Sequence, residues 1–334
     1  MTLAVVVAAA MFVGVVVYAL FGGADFGSGF YDLTAGGSDR GAETRLLIDH
    51  SIGPVWEANH VWLIYILVMW WTAFPATFAA ATTTLFIPLM LALAGIVLRG
   101  ASFVFRKYAA TLGQARLFGA VFAGSSLITP FFLGAVAGAI ASGRVPAEGY
   151  GDRVGSWLNP TSVVGGCLAV ATSVFLAGAF LCADAARAGK DALASQLRTR
   201  TLLVGIVTGA VVFAGLYPVY HDAPTLADGL LGRAAPLLAM AAVTGATAVV
   251  LVYRRRFAVA RIFAVTAVAT VVTGWGVGQY PWLLVDEVTL TDAAGAAATL
   301  RGLLVVVALA VVLVLPALGY LLWLTQSDEW SRDG

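Results

Sequence analysis

Trp56-Glu57-Ala58-Asn59-His60-Val61-Trp62 sets a carboxylate at the head of an apolar stretch, and from Ala58 to Leu98 the chain carries no Asp, Glu, Lys or Arg for 41 residues. As one helix that stretch would measure roughly 60 Å, about twice the hydrocarbon core of a bilayer, so it must hold two helices. The break belongs at Phe74-Pro75, because proline lacks the N–H that a helix interior needs and restricts the residue before it. Glu57 then opens the first helix of a hairpin and Arg99 closes the second, at the same membrane face. Ionisable groups so placed are costly and point to function.

The rest of the chain has the same character. It is 60% apolar and 11% charged over 334 residues, the signature of an all-α, polytopic integral membrane protein. About nine transmembrane helices are expected, at roughly 3–24, 54–74, 76–98, 117–142, 161–183, 201–219, 234–253, 262–280 and 302–325. The longest polar connections, about 184–200 and 281–301, are loop-sized, so no separate soluble domain is expected.

Nine spans put the termini on opposite sides. One side then receives fourteen of the 19 basic residues and the other only Arg144, Arg153, Arg233 and Arg301, with Arg99 inside a span. Positive residues concentrate in cytoplasmic loops, which places the N-terminus outside and the C-terminus in the cytoplasm. The first apolar segment has no basic n-region and reads as a retained helix rather than a signal peptide. A net charge of +1 gives no argument for nucleic acid, and Arg254-Arg255-Arg256 is explained as a topology anchor rather than a specific lipid site.

Cys167 and Cys182 have no CxxC spacing and read as small packing residues. The three histidines, His50, His60 and His221, form no HExxH, CxxCH or i,i+4 pair, so no metal or c-type haem signature is present. His60, one turn after Glu57, is the one histidine placed to act as an axial haem ligand; a hydrogen-bonding or packing role fits it better.

The chemistry is better sought in Asp25, Glu57 and Arg99. Asp25 is expected to end the first span, in Gly22-Gly23-Ala24-Asp25-Phe26-Gly27-Ser28-Gly29-Phe30, so all three groups approach one leaflet. Measured from Pro75, Glu57 lies about 27 Å and Arg99 about 36 Å along their helices, a mismatch that tilt and a long side chain could absorb to make a direct pair. Carboxylates near an aqueous face accept protons, whereas an Arg holds a carboxylate ionised or binds an anionic group such as a propionate. The plain alternative is that these are interfacial caps. The glycines read as close helix packing, and Trp56, Trp62, Trp70 and Trp71 as interfacial anchors, with Trp56 set apart by its place beside Glu57.

These residues carry a resemblance. Gly23-Ala24-Asp25-Phe26-Gly27-Ser28-Gly29, Ile52-Gly53-Pro54-Val55-Trp56-Glu57-Ala58-Asn59-His60-Val61-Trp62-Leu63, Phe74-Pro75, Leu98-Arg99-Gly100-Ala101-Ser102-Phe103 with Arg106, and Gly274-Trp275-Gly276-Val277-Gly278-Gln279-Tyr280-Pro281 are similar to subunit II of the cytochrome bd-type quinol oxidases. The resemblance implies a single membrane domain of two four-helix bundles, about 1–142 and 161–325, the second carrying one peripheral helix. It implies a heterodimer with a similarly built subunit I that carries the haems of b and d type and the quinol site, in a prokaryotic inner or plasma membrane. No catalytic residue or metal is then expected in this chain. Asp25 and Glu57 would form a proton pathway from the cytoplasm, and Arg99, Trp56 and Asn59 would lie at a haem propionate or the subunit interface. The family leaves room for a bound quinone, an oxygen channel and small single-helix accessory subunits. Another branch has Asp where Glu57 stands, which keeps an acid, and Gln where His60 stands, which weakens His60 as a ligand.

Two other readings compete. A secondary transporter also combines many spans with intramembrane ionisable groups, but it predicts a midplane site and two matching broken helices. An assembly subunit without a conducting role predicts that Glu57→Gln changes abundance but not turnover.

Overall fold

The computed structural model describes residues 2–37, 39–52 and 56–326, with side chains at all of these except 52, 56 and 321–326. Among them are twelve α-helices and one short hairpin: α1 (Leu3–Leu33), α2 (Ala42–Ile52), α3 (Trp56–Ala73), α4 (Pro75–Thr84), α5 (Phe86–Lys107), α6 (Leu112–Ala141), α7 (Pro160–Arg187), α8 (Asp191–Asp222), α9 (Pro224–Leu231), α10 (Ala235–Tyr253), α11 (Phe257–Gln279), β1 (Trp282–Leu284), β2 (Val288–Thr289) and α12 (Ala297–Gln326). β1 and β2 pair antiparallel, with Trp282 opposite Thr289. The all-helical, multi-pass architecture is as expected.

Eight of these helices are long and apolar enough to cross a membrane, one fewer than the expected nine. The span expected at 54–74 is α3, which packs antiparallel along α1. It has 18 residues, but Glu57, Asn59 and His60 in its first turns reduce its apolar character.

Several expected boundaries are corrected. Proline does end α3 and open α4 at Phe74-Pro75, but the following span breaks a second time at Leu85. Pro88 stands in the first turn of α5, where its ring would clash with the Thr84 carbonyl if the helix ran through. Arg99 therefore does not close a helix: α5 continues to Lys107. Asp25 likewise does not end α1, which runs on to Leu33. The glycines around it stay helical because α6 and α7 press against them. A Cβ on Gly27 would lie 2.0 Å from the Ser173 carbonyl oxygen, and one on Gly29 2.4 Å from Ser126 Cβ. The glycines thus act as close packing, as their spacing predicts. The supposed polar loop at 184–200 is mostly helix, reduced to the turn between Arg187 and Asp191, and that at 281–301 contains the hairpin and the start of α12.

α1 is the centre of the molecule, packing on α3, α6, α7 and α11. α3 runs antiparallel to it: the Tyr65 hydroxyl donates to the Ala10 carbonyl at 2.9 Å, and Met69 and Ala73 pack with Ala4 and Val7. α6 packs on both α5 and α7, and α12 lies outside, against α1 and α3, with Val305, Val306, Leu309 and Leu313 exposed.

Basic residues gather at one end of the bundle. Arg45 and Arg106 both pair with Asp32, Arg106 also with Asp49, Arg187 and Arg261 with Asp184, and Lys190 with Glu43. Arg198 donates to the last carbonyls of α10, at Val252 and Tyr253, groups that have no partner within the helix. At the opposite end Arg144 pairs with Asp222 and Arg233 donates to the Gly278 carbonyl.

Candidate functional site

Among the described residues, one ion pair inside this apolar bundle is fully buried. Asp25 of α1 is 3% exposed and Arg99 of α5 is 1% exposed. Arg99 Nη2 donates to Asp25 Oδ1 at 2.5 Å and to the Asp25 carbonyl at 3.2 Å. Arg99 Nε donates to Ser126 Oγ on α6 at 3.0 Å, and the Ser126 hydroxyl donates in turn to the Phe122 carbonyl at 2.6 Å. The guanidinium carbon sits 5.2 Å from the centre of the Phe26 ring and 4.9 Å from that of Phe122. A planar cation between two aromatic rings gains from their quadrupoles when desolvated.

Local sequence explains the placement. Gly95, one turn before Arg99, faces Thr129, whose Oγ1 would be 2.3 Å from an added Cβ. This close approach of α5 to α6 brings Arg99 beside Ser126. Gly29 does the same for α1 and α6. α5 thus rests on α6, and the long arginine reaches across to α1.

A second pair repeats the arrangement seven residues along both helices. Asp32 accepts from Arg106 and, at 2.8 Å, from Arg45 Nε, and Arg106 Nη2 also reaches Asp49 Oδ1 at 2.9 Å. Burial pushes the Asp49 carboxyl up from its ordinary value, against the opposing effect of Arg106.

Of the residues singled out in sequence, Asp25 and Arg99 come together, while the direct pair of Glu57 with Arg99 is not formed. Arg99 is enclosed within the chain's own core rather than presented on its surface. Glu57 is exposed and Asn59 buried, both on the first turns of α3. The Trp56 side chain lies outside the described residues. His60 packs its ring 5.9 Å from Phe26 and 6.4 Å from Tyr18, between α3 and α1. Two cavities are lined elsewhere. One of about 250 Å³ lies among residues such as Leu216, Tyr217 and Leu230, and one of about 330 Å³ among residues such as Arg144, Asp152 and Glu287. His60 thus packs against aromatic rings of α1, and neither of these two spaces is lined by it.

Sequence reasoning missed Ser126, Phe122 and the outer pair of Asp32 and Arg106. A signal was present. Ser125-Ser126 interrupts an apolar span, and Asp25/Asp32 and Arg99/Arg106 share one spacing.

A bundle of apolar helices that encloses a desolvated Asp–Arg pair, with basic residues gathered at one end, defines a multi-pass membrane protein whose polar chemistry is internal. A family model for cytochrome bd terminal oxidase subunit II matches residues 3–325, and the chain belongs to that family. A curated relative, cytochrome bd ubiquinol oxidase subunit 2 of Bacillus subtilis (strain 168), is 31% identical over 163 residues. That match covers 48% of this chain and 46% of the relative, so it spans about half the length of each. The fold is similar to that of the bd oxidase structure from Geobacillus thermodenitrificans, with a TM-score of 0.82 and 24% identity over 98% of this chain and 100% of that one. Family membership does not favour the secondary-transporter reading.

Proposed function

We propose that this chain is the second subunit of a bd-type quinol oxidase, docking on a subunit I that holds haems of b and d type and reduces oxygen to water with electrons from quinol. The chain has no oxidase activity alone. It supplies the subunit interface and a route by which protons reach the partner from the cytoplasm. The observation that carries this reading is the depth of the Asp25–Arg99 pair together with the exposure of Glu57.

Asp25 lies about 10 Å inward of the Asp32 layer along α1. His60, one turn beyond Glu57, packs on Phe26, so Glu57 stands near the level of the buried pair. A carboxylate at that depth facing lipid is costly. A protein partner on the face formed by Glu57, Val61, Ile64 and Val68 of α3 and Leu98 and Phe105 of α5 would enclose it. Glu57 would then accept a proton at the interface, with Asp25 as the second acid of the pathway and Arg99 setting its charge. Asn59 and Trp56 would flank this interface. The basic end of the bundle faces the cytoplasm, with the N-terminus outside. Lipid, quinone and small single-helix subunits are the neighbours proposed for the remaining apolar faces.

The test is quinol-driven oxygen uptake by the two-subunit complex, wild type against Glu57→Gln, with haem content checked by its spectrum. Lost turnover with haem intact supports the pathway. Unchanged turnover refutes that role for Glu57, and altered abundance at full turnover supports the assembly reading.

A further inference from the structure

Two buried polar atoms beside the ion pair have no hydrogen-bond partner among the described residues: Asp25 Oδ2 and the Tyr18 hydroxyl. Both side chains are more than nine-tenths buried, at 3% and 8% exposure. They stand seven residues apart on one face of α1, two turns from each other. A helical side chain ordinarily leans toward the N-terminus of its own helix. Tyr18 leans the other way. Its ring lies over Gly22, where an added Cβ would be 2.8 Å from Tyr18 Cε2, and meets the Phe26 ring edge-on at 6.4 Å. The missing side chain at Gly22 lets the phenol reach along α1 toward Asp25 and Phe26.

Arg99 occupies Asp25 Oδ1 and the Asp25 carbonyl, and Ser28 Oγ donates to that same carbonyl at 2.7 Å. Oδ2 alone is left without a donor. A buried carboxylate oxygen without a donor bears its full desolvation cost, and so does a buried hydroxyl. An ordered water needs two or more polar partners, which these two atoms supply.

We propose that Tyr18 is a positioning residue for Asp25, its hydroxyl joined to Oδ2 through one buried water. Asp25 is then held by Arg99 at one oxygen and by Tyr18 at the other. The Tyr18 ring also lies 6.4 Å from that of His60 on α3, the helix that carries Glu57. The functional consequence rests on the proton-pathway reading of Asp25 and Glu57; the bond itself does not.

The test has two parts, both on the assembled two-subunit complex. A map that resolves ordered water should show density within hydrogen-bonding distance of both atoms. A double-mutant cycle of Tyr18→Phe and Asp25→Asn, read by thermal unfolding, should give a double variant whose loss in melting temperature is smaller than the sum of the single losses. Phe keeps the ring over Gly22, and Asn puts a donor where Oδ2 accepts. A map without such density, or additive losses, overturns the assignment. Oxygen uptake separates this from the larger reading: full turnover in Asp25→Asn with coupling intact refutes the pathway and leaves the Tyr18 bond standing, whereas lost turnover without coupling does the reverse.

Discussion

Asp32 accepts from Arg106 one heptad beyond the point where Asp25 accepts from Arg99, so α1 and α5 are joined by two acid–arginine rungs of the same spacing. The inner rung is enclosed by Phe26, Phe122 and Ser126, whereas the outer one shares its charges with Arg45 and Asp49 at the end of the bundle. A heptad advances about 10 Å and nearly two full turns, which returns both side chains to the same face. The rungs therefore fix the register of α5 against α1 without close packing between the two helices.

Breaking the inner rung leaves an uncompensated buried charge, which costs about 3–5 kcal/mol. Arg99→Met alone is expected to lower the melting temperature or the yield of the complex sharply. The double variant Asp25→Leu, Arg99→Met removes both charges and is expected to recover most of that stability while oxygen uptake stays lost. Thermal unfolding and turnover of the three forms check this, and recovered turnover in the double variant would remove Asp25 from the pathway.

Gly27→Ala is expected to destabilise the bundle by at least about 1–3 kcal/mol, the usual range for overpacking, because its Cβ would meet the Ser173 backbone of α7 at 2.0 Å. Gly119→Ala on α6, where an added Cβ meets nothing within 4 Å, is the control. It should be neutral or gain up to about 1 kcal/mol from helix propensity. Melting temperatures of the two variants measure the contrast.

Two acids at the bundle ends should respond to pH with opposite sign. Burial raises the Asp49 carboxyl above its ordinary 3.8, so the folded state holds that proton more tightly, and stability declines as pH rises from 3.8 through the folded value. Backbone donors at Val154 and Gly155 lower Asp152, so its stabilisation is present above 3.8 and is lost as pH falls through the folded value. Melting curves against pH should lose the first dependence in Asp49→Asn and the second in Asp152→Ala.

Orientation is testable by cysteine labelling in a background with Cys167 and Cys182 replaced by Ala. Arg255→Cys, in the turn between α10 and α11, is expected to react only from the cytoplasmic side. Ser142→Cys, at the end of α6, is expected to react from outside. The reverse pattern would invert the topology and remove Asp25 and Glu57 from a cytoplasmic pathway.

Much of the fold was legible along the chain. Hydropathy placed eight membrane-length helices to within a few residues at most ends, because an apolar run long enough to span a bilayer must satisfy its backbone internally. Phe74-Pro75 was read correctly for the same local reason. The second break at Leu85 is not anticipated although Pro88 signals it, while α3 forms where the span at 54–74 is expected, with polar first turns that make it less apolar than the other eight. α1 and α5 run on past Asp25 and Arg99, the charged residues at which an apolar run ends along the chain. Asp25 and Arg99 each look like an edge when read singly; only a partner on another helix allows them to lie inside.

The sequence by itself determined that this chain is an all-α membrane protein, which acids and arginine interrupt its apolar runs, and which loops collect positive charge. Each of these follows from composition and from distance along the chain. Only the tertiary structure decided that Arg99 answers Asp25 and not Glu57, that Ser126 and two phenylalanines enclose the pair, and that Tyr18 turns over Gly22 toward it. A side chain's partner depends on the azimuth and separation of helices far apart in sequence, here set where glycines let α1, α5, α6 and α7 approach. That geometry is a property of the packed bundle rather than of any one segment.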